Sequence, residues 1–193
     1  LLVVPSAGAA ETVKVKKVDN FILLLDHSGS MAEKHACLKE KKIVLAVDAV
    51  SRLDRAIPEL DYMGALALFS PDRQVSAPAP YRDGAIASAA AGIDTGYSVF
   101  GRFTAIGTGL NMADPILAGF SGKTALVIFT DGESNTGPKP VPQARALYDK
   151  YPGLCIHVVS FADSPKGQAT VEAIRAISDC TVETDIAALA SDE

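Results

Sequence analysis

Phe21-Ile-Leu-Leu-Leu-Asp26-His-Ser28-Gly-Ser30-Met31 is the stretch that decides the fold of this chain. Five consecutive apolar residues predict a strand covered on both faces, as in a parallel sheet. The run ends on a carboxylate followed by two hydroxyls at two-residue spacing. In an extended turn, positions two apart point the same way, so Asp26, Ser28 and Ser30 can face one ion while His27 faces elsewhere. Ligands of open α/β sheets bind at this edge, where strands leave the sheet.

Outward from that strand, apolar runs alternate with helical patterns. Strands are expected at Phe21 to Asp26, Tyr62 to Phe69, Gln74 to Ala77, Thr124 to Thr130, Cys155 to Phe161 and Thr181 to Thr184. Helical spacing joins Ile43, Val47, Val50 and Ile57, then Ile106, Leu110, Ala113 and Leu117, then Val171, Ile174 and Ile177. The Ala-rich stretch around Ala87 to Ala91 reads as ordinary helix. The expected fold class is α/β: a doubly wound, mostly parallel central sheet flanked by helices, Rossmann-like; if its strand order is 3-2-1-4-5-6, the strands ending in Asp26 and Asp131 lie side by side. The segment from Gln74 follows its predecessor too closely for a helical crossover, which makes it one antiparallel edge strand.

The chain has 193 residues, 48% hydrophobic and 21% charged, enough for one domain with a sizeable core. A net charge of -5 without a long basic run argues against a nucleic-acid partner. Residues 1–10 are apolar and then small, like the remnant of a signal peptide, with Ala7-Gly8-Ala9 or Gly8-Ala9-Ala10 as cleavage site; export is the expectation. Residues 11–19 form a lead-in, and 20–193 the domain proper, expected to be truncated in its last helix after Asp185. Export would give the cysteines a setting: Cys155 and Cys180 each open a strand-like run, so neighbouring parallel strands would bring them to the same end of the sheet. Three separate reduced cysteines are the alternative, and Cys37 is left over on either reading.

Two more segments offer oxygen donors. In Arg102-Phe-Thr104-Ala-Ile-Gly-Thr-Gly-Leu110 a loop runs into a helix and presents the Thr104 hydroxyl; Val127-Ile-Phe-Thr130-Asp131-Gly132 is a second apolar strand ending in a carboxylate. Two carboxylates and three hydroxyls suit a hard cation such as Mg²⁺, which takes oxygen ligands at about 2.0–2.1 Å in a near-octahedral shell. Held partly by neutral ligands, such an ion stays Lewis-acidic and welcomes an acidic group from outside.

Asp26-x-Ser28-x-Ser30, with Thr104 in its Gly-rich loop and Asp131 in Thr-Asp-Gly, resembles the metal-ion-dependent adhesion site (MIDAS) of the von Willebrand factor type A (VWA) domain. The resemblance covers about residues 20 to 190. It implies a divalent cation, Mg²⁺ first and Mn²⁺ or Ca²⁺ otherwise, at Asp26, Ser28, Ser30, Thr104 and Asp131, directly or through water. It also implies a protein partner that supplies a carboxylate. Lys17-Val-Asp-Asn-Phe, Ile57-Pro-Glu-Leu-Asp and Phe161-Ala-Asp-Ser-Pro-Lys-Gly-Gln look similar to a bacterial exported subgroup in which such a domain precedes an OmpA-like peptidoglycan-binding domain. That likeness implies the periplasm or cell envelope, with membrane or cell-wall attachment only through a region beyond Glu193.

Bland readings compete. Asp26 and Ser28 could cap a following helix, Thr104 could be an N-cap with Thr95 and Thr108 as rival hydroxyls, and Asp131-Gly132 could be a turn. Glu133 reads as solvated. An Asp26-His27-Ser28 triad fails because adjacent residues cannot line up as orienter, base and nucleophile; His35 and His157 have no partner pattern. Gly119-Phe-Ser-Gly-Lys-Thr124 lacks the first glycine of a phosphate loop and precedes a strand rather than a helix. Asp94-Thr95-Gly96 has no mate for an aspartic dyad. A metal-dependent hydrolase and an exported structural domain with a vestigial site are the alternatives to a binding module, and no general base supports the former.

Overall fold

The structure, a computed structural model, describes residues 15–191. The signal-peptide expectation and the first part of the lead-in lie outside the described residues. Six strands form one sheet: β1 (Asn20–Asp26), β2 (Met63–Phe69), β3 (Arg73–Pro80), β4 (Thr124–Thr130), β5 (Leu154–Ser160) and β6 (Glu183–Asp185). The helices are α1 (Lys42–Ala56), α2 (Ala85–Ala90), α3 (Ile106–Ala118), α4 (Pro140–Lys150), α5 (Pro165–Arg175) and α6 (Ile186–Ser191). The strand order is β3-β2-β1-β4-β5-β6, the doubly wound order that sets the Asp26 strand beside the one before Asp131.

All seven residues of β1 are buried because it runs parallel between β2 and β4, with Asn20 opposite both Met63 and Thr124. Its apolar run is split between two cores by the two-residue period of a strand. Phe21, Leu23 and Leu25 pack with Ile43, Ala46 and Val50 of α1 and Ile86 of α2. Ile22 and Leu24 pack on the other face with Ile106 and Leu110 of α3, Ala144 and Leu147 of α4, and Val171 and Ile174 of α5. A continuous hydrophobic run is what double-sided cover requires.

β3 is the antiparallel edge, longer than the sequence suggests, and it carries Pro78 and Pro80 where no neighbour needs their missing N–H. α5 begins at Pro165, well ahead of Val171, the first residue of its apolar spacing, because Ser164 caps it by accepting from the Gly167 N–H at 3.0 Å. α4 has no counterpart among the helical patterns expected from the sequence. Two prolines in its first turn mimic a loop, and only Ala144 and Leu147 of its eleven residues are buried.

Cys155, near the start of β5, is bonded to Cys180 in the turn before β6, while Cys37 is free and exposed. The bridge lies at the end of the sheet opposite Asp26. Closing a loop with sequence separation 25 constrains the unfolded chain by about 3 kcal/mol. Replacing both Cys155 and Cys180 by Ser is expected to lower the melting temperature by about 10 °C. An unchanged melting curve would show that the bridge contributes nothing.

Candidate metal centre

Asp26 is the last residue of β1, and the chain then turns through residues 27–32 over the carboxyl edge of the sheet. Its carboxylate is completely buried. Oδ1 accepts from the Ser28 N–H at 3.0 Å and Oδ2 from the Thr130 hydroxyl at 2.7 Å. The short 3-10 turn at Ser30–Ala32 has no side-chain cap, so Asp26 and Ser28 are not capping a helix. The hydroxyls instead face one another: Ser28 Oγ is 3.1 Å from Ser30 Oγ, which is 3.3 Å from Thr104 Oγ1 and donates to Asp131 Oδ1 at 3.2 Å.

Thr104 does not cap α3; the residue at that position is Ala105, with no side-chain bond. Asn135 fixes it, accepting from the Thr104 N–H at 3.1 Å, while the N–H groups of Asn135 and Thr136 donate back to the Thr104 carbonyl. Those contacts sew the Thr104 loop to the segment that follows Asp131. Asp131 lies one residue past β4, and Gly132 lets the chain turn with φ +74° in close contact with Gly167 of α5. A Cβ on Gly132 would approach the Gly167 carbonyl oxygen to 2.2 Å. Glu133 is not merely solvated. It is half-buried and accepts from Ser164 Oγ and from Lys166 Nζ at the start of α5.

His27 turns away from this cluster. Arg102 Nη1 donates to its Nδ1 at 2.6 Å, which leaves Nε2 to donate to the Asp94 carbonyl at 2.7 Å. Arg102 also lies over the Tyr97 ring at 3.9 Å, and the Tyr97 hydroxyl donates to the Ser28 carbonyl. Burial holds the His27 imidazole below the usual histidine range, with Arg102 adding to the effect. Both ring nitrogens are committed, so His27 is no base for the cluster.

Four residues that position the site are not singled out for it by the sequence: Lys42, Tyr97, Asn135 and Asp163. Lys42 opens α1, is buried, and places Nζ 3.2 Å from Asp131 Oδ2 and 2.7 Å from Asp163 Oδ1. Asp163 Oδ2 accepts from the Ala36 N–H at 2.9 Å. Burial pulls the Lys42 ammonium down, but Asp131 and Asp163 outweigh it and hold it above the usual lysine value. No sequence pattern marks this residue, since Lys34, Lys39 and Lys41 nearby are not buried.

Burial sets the electrostatics of the two carboxylates. Burial, reinforced by the Asp131 charge, pushes the Asp26 carboxyl from 3.8 up to about 7. Burial also pushes Asp131 up despite Lys42 beside it. Among the described residues no three His, Cys, Asp or Glu side chains form a metal-binding group, so an ion here would rest on two carboxylates and on hydroxyls. That all-oxygen set fits Mg²⁺, Mn²⁺ or Ca²⁺ and offers nothing to a metal that needs sulfur or imidazole.

No family model and no curated protein matches the sequence. Solved structures do match its fold. An aerotolerance-related membrane protein from Bacteroides fragilis is 17% identical, with a TM-score of 0.67 over 86% of this chain and 90% of that one. The VWA domain of SpRpn10 is 14% identical, with a TM-score of 0.62 over 91% and 95%. Proximal thread matrix protein 1 from the mussel byssus, in a structure with a zinc-occupied MIDAS motif, is 17% identical, with a TM-score of 0.66 over 89% of this chain but only 45% of the mussel protein. The chain thus has the fold of a VWA domain.

Proposed function

We propose that this domain is a metal-ion-dependent protein-binding module. Asp26, Ser28, Ser30, Thr104 and Asp131 hold a divalent cation, Mg²⁺ in the first place, and a carboxylate of the partner protein completes the shell. The observation that carries this reading is the convergence of oxygen donors from three separate segments within hydrogen-bond distance at the carboxyl edge of the sheet. When bound, the ion would supply the Lewis acidity toward that carboxylate. The chain orients the ligands, and His27, the histidine next to Asp26, has both ring nitrogens committed elsewhere, which favours adhesion over hydrolysis.

Large exposed apolar side chains flank the site. Phe100 is 90% and Phe103 71% exposed on the loop that leads to Thr104. Side chains of that size, left in water beside a charged centre, suit a protein partner better than a small anion. Export to the periplasm or cell envelope is supported by the disulfide, which persists in oxidising compartments, and by the likeness to a Bacteroides membrane protein. No helix among the described residues is long and apolar enough to cross a membrane.

Calorimetric titration with Mg²⁺ and Mn²⁺ is expected to show one site in the intact domain and none in Asp26→Ala. A pull-down from the exported proteome is expected to retain a partner in Mg²⁺ and release it in EDTA. Phe100→Ser with Phe103→Ser is expected to weaken capture tenfold or more while leaving the Mg²⁺ titration unchanged, since each well-buried aromatic anchor contributes about 1–2 kcal/mol. Absence of metal binding near millimolar Mg²⁺ would leave a vestigial site. Metal-dependent turnover of phosphoesters or peptides, lost in Asp26→Ala, would make the domain an enzyme.

A further inference from the structure

We infer that Lys42 is a built-in counter-cation of the site, a positioning residue whose ammonium engages one oxygen of Asp131, holds the cluster together without a metal and sets how tightly a divalent ion binds. The inference rests on the metal-binding reading above and assigns it a determinant outside the five-residue motif.

Asp131 uses its two oxygens differently. Oδ1 faces the hydroxyls, accepting from Ser30 at 3.2 Å and from the Glu133 N–H at 3.2 Å. Oδ2 faces Lys42 Nζ at 3.2 Å. The ammonium is buried, with a side-chain exposure of 4%, and its other partner is Asp163 at 2.7 Å. Buried lysines are rare unless paired, and here the pair includes a carboxylate that the ion also needs.

Lys42 is placed independently of any ion. It begins α1, its N–H donates to the Glu33 carbonyl at 2.9 Å, and Asp163 is anchored by the Ala36 N–H. The ammonium therefore stays in place whether or not a metal arrives. Two consequences follow from charge alone. With Asp26, Asp131 and Asp163 ionised, Lys42 is the one cation hydrogen-bonded to the Asp131 carboxylate among the described residues, so it limits the repulsion that would otherwise open the loops. Once a divalent ion sits by the hydroxyls, it shares Asp131 with a fixed positive charge and is held less tightly than the five ligands alone would hold it. Lys42 trades affinity for a site assembled in advance.

The variants Lys42→Met, Asp163→Asn and the pair Lys42→Met with Asp163→Asn test this, each titrated with Mg²⁺ by calorimetry and melted in EDTA and in saturating Mg²⁺. Lys42→Met is expected to bind Mg²⁺ about tenfold or more tightly, to melt lower than the parent in EDTA and to recover in Mg²⁺. Asp163→Asn, which leaves the ammonium to Asp131 alone, is expected to bind Mg²⁺ more weakly. The paired variant leaves no carboxylate stranded at position 163 and is expected to bind more tightly than the parent at unchanged net charge, so it decides the matter if Lys42→Met does not fold. A lysine that merely braced the loops would give weaker binding in every variant, and that result, or equal affinities throughout, would overturn the inference while leaving the metal-binding function intact. Binding by Lys42→Met but not by the parent would support the inference and remove the metal from the parent's function. No binding by any of them would overturn both.

Discussion

Stripped of divalent cations, the domain is expected to lose stability as the pH rises from 5 to 8, and Mg²⁺ is expected to cancel that loss. Asp26 is responsible. Its buried carboxyl titrates near 7 in the folded protein, raised first by burial and then by Asp131, against 3.8 in an ordinary setting. Because the folded value lies above the unfolded one, the stabilisation from a neutral Asp26 is complete below about pH 4 and is lost as the pH passes through about 7. A displacement of that size corresponds to up to about 4 kcal/mol, or on the order of 10 °C in melting temperature for a domain of this length. A bound cation keeps Asp26 ionised and removes the slope.

At the proposed site the same proton competes with the metal. Below pH 7 one proton must leave Asp26 for each ion bound, so the apparent Mg²⁺ affinity is expected to fall about tenfold from pH 6 to pH 5. Asp26→Asn removes both effects: in EDTA at pH 8 it is expected to melt above the parent, and it should not respond to Mg²⁺. Melting curves between pH 5 and 8, with and without Mg²⁺, measure all of this. A metal-free protein whose melting temperature rises with pH over that window would mean that Asp26 is not held neutral by its surroundings. A site that makes the ion-free fold less stable at neutral pH is one shaped around a ligand.

How much of this was legible in the sequence depends on where each signal resides. Asp26 and Asp131 were legible because each ends an apolar strand run, and the parallel pairing of β1 with β4 brings such ends together. Thr104 was picked out by the Gly-rich turn into α3, and of the three candidate hydroxyls it is the one the structure brings to Ser30, at 3.3 Å. The disulfide partners were legible as strand openings, but only the register of β5 against β6 brings Cys180 beside Cys155.

Lys42 was not legible. It stands in a lysine-rich stretch that reads as a solvated surface, and what selects it from its neighbours is Asp163, more than a hundred residues further on. α4 failed for a local reason, since prolines at positions 140 and 142 hide a helix whose buried face is two residues wide. The strand order was legible because crossover rules restrict it, whereas the edges were not: β3 runs on to Pro80, and β6 starts at Glu183 rather than Thr181. Edge strands have one partner and little burial, so composition says less about where they stop.

Gly29 is expected to be the least replaceable residue of the site, although it offers no ligand atom. Its backbone is in an ordinary helical conformation, so conformational freedom is not the reason. Space is. A Cβ on Gly29 would lie 2.1 Å from the Val99 carbonyl oxygen and 3.0 Å from that of Arg102, both backbone atoms of the loop that leads to Thr104. The Gly29 N–H meanwhile donates to the Arg102 carbonyl at 2.9 Å, and Tyr97 pins the same loop to the Ser28 carbonyl. The loop can move away from an alanine only by breaking these bonds and carrying Thr104 away from Ser30. Gly29→Ala is therefore expected to cost about 3 kcal/mol of stability, toward the upper end for overpacking because backbone rather than a side chain must yield. It is expected to weaken Mg²⁺ binding by about a hundredfold, as the third hydroxyl leaves the cluster and the ligand geometry that Mg²⁺ demands is lost. Gly92→Ala serves as the control, since its nearest atom would be the Ala89 carbonyl oxygen at an ordinary 3.6 Å, and it is expected to change stability by less than about 1 kcal/mol. If Gly29→Ala melts and titrates like the parent, the two loops are not in the contact that places Thr104, and the convergence of the three segments would have to be held by Asn135 alone.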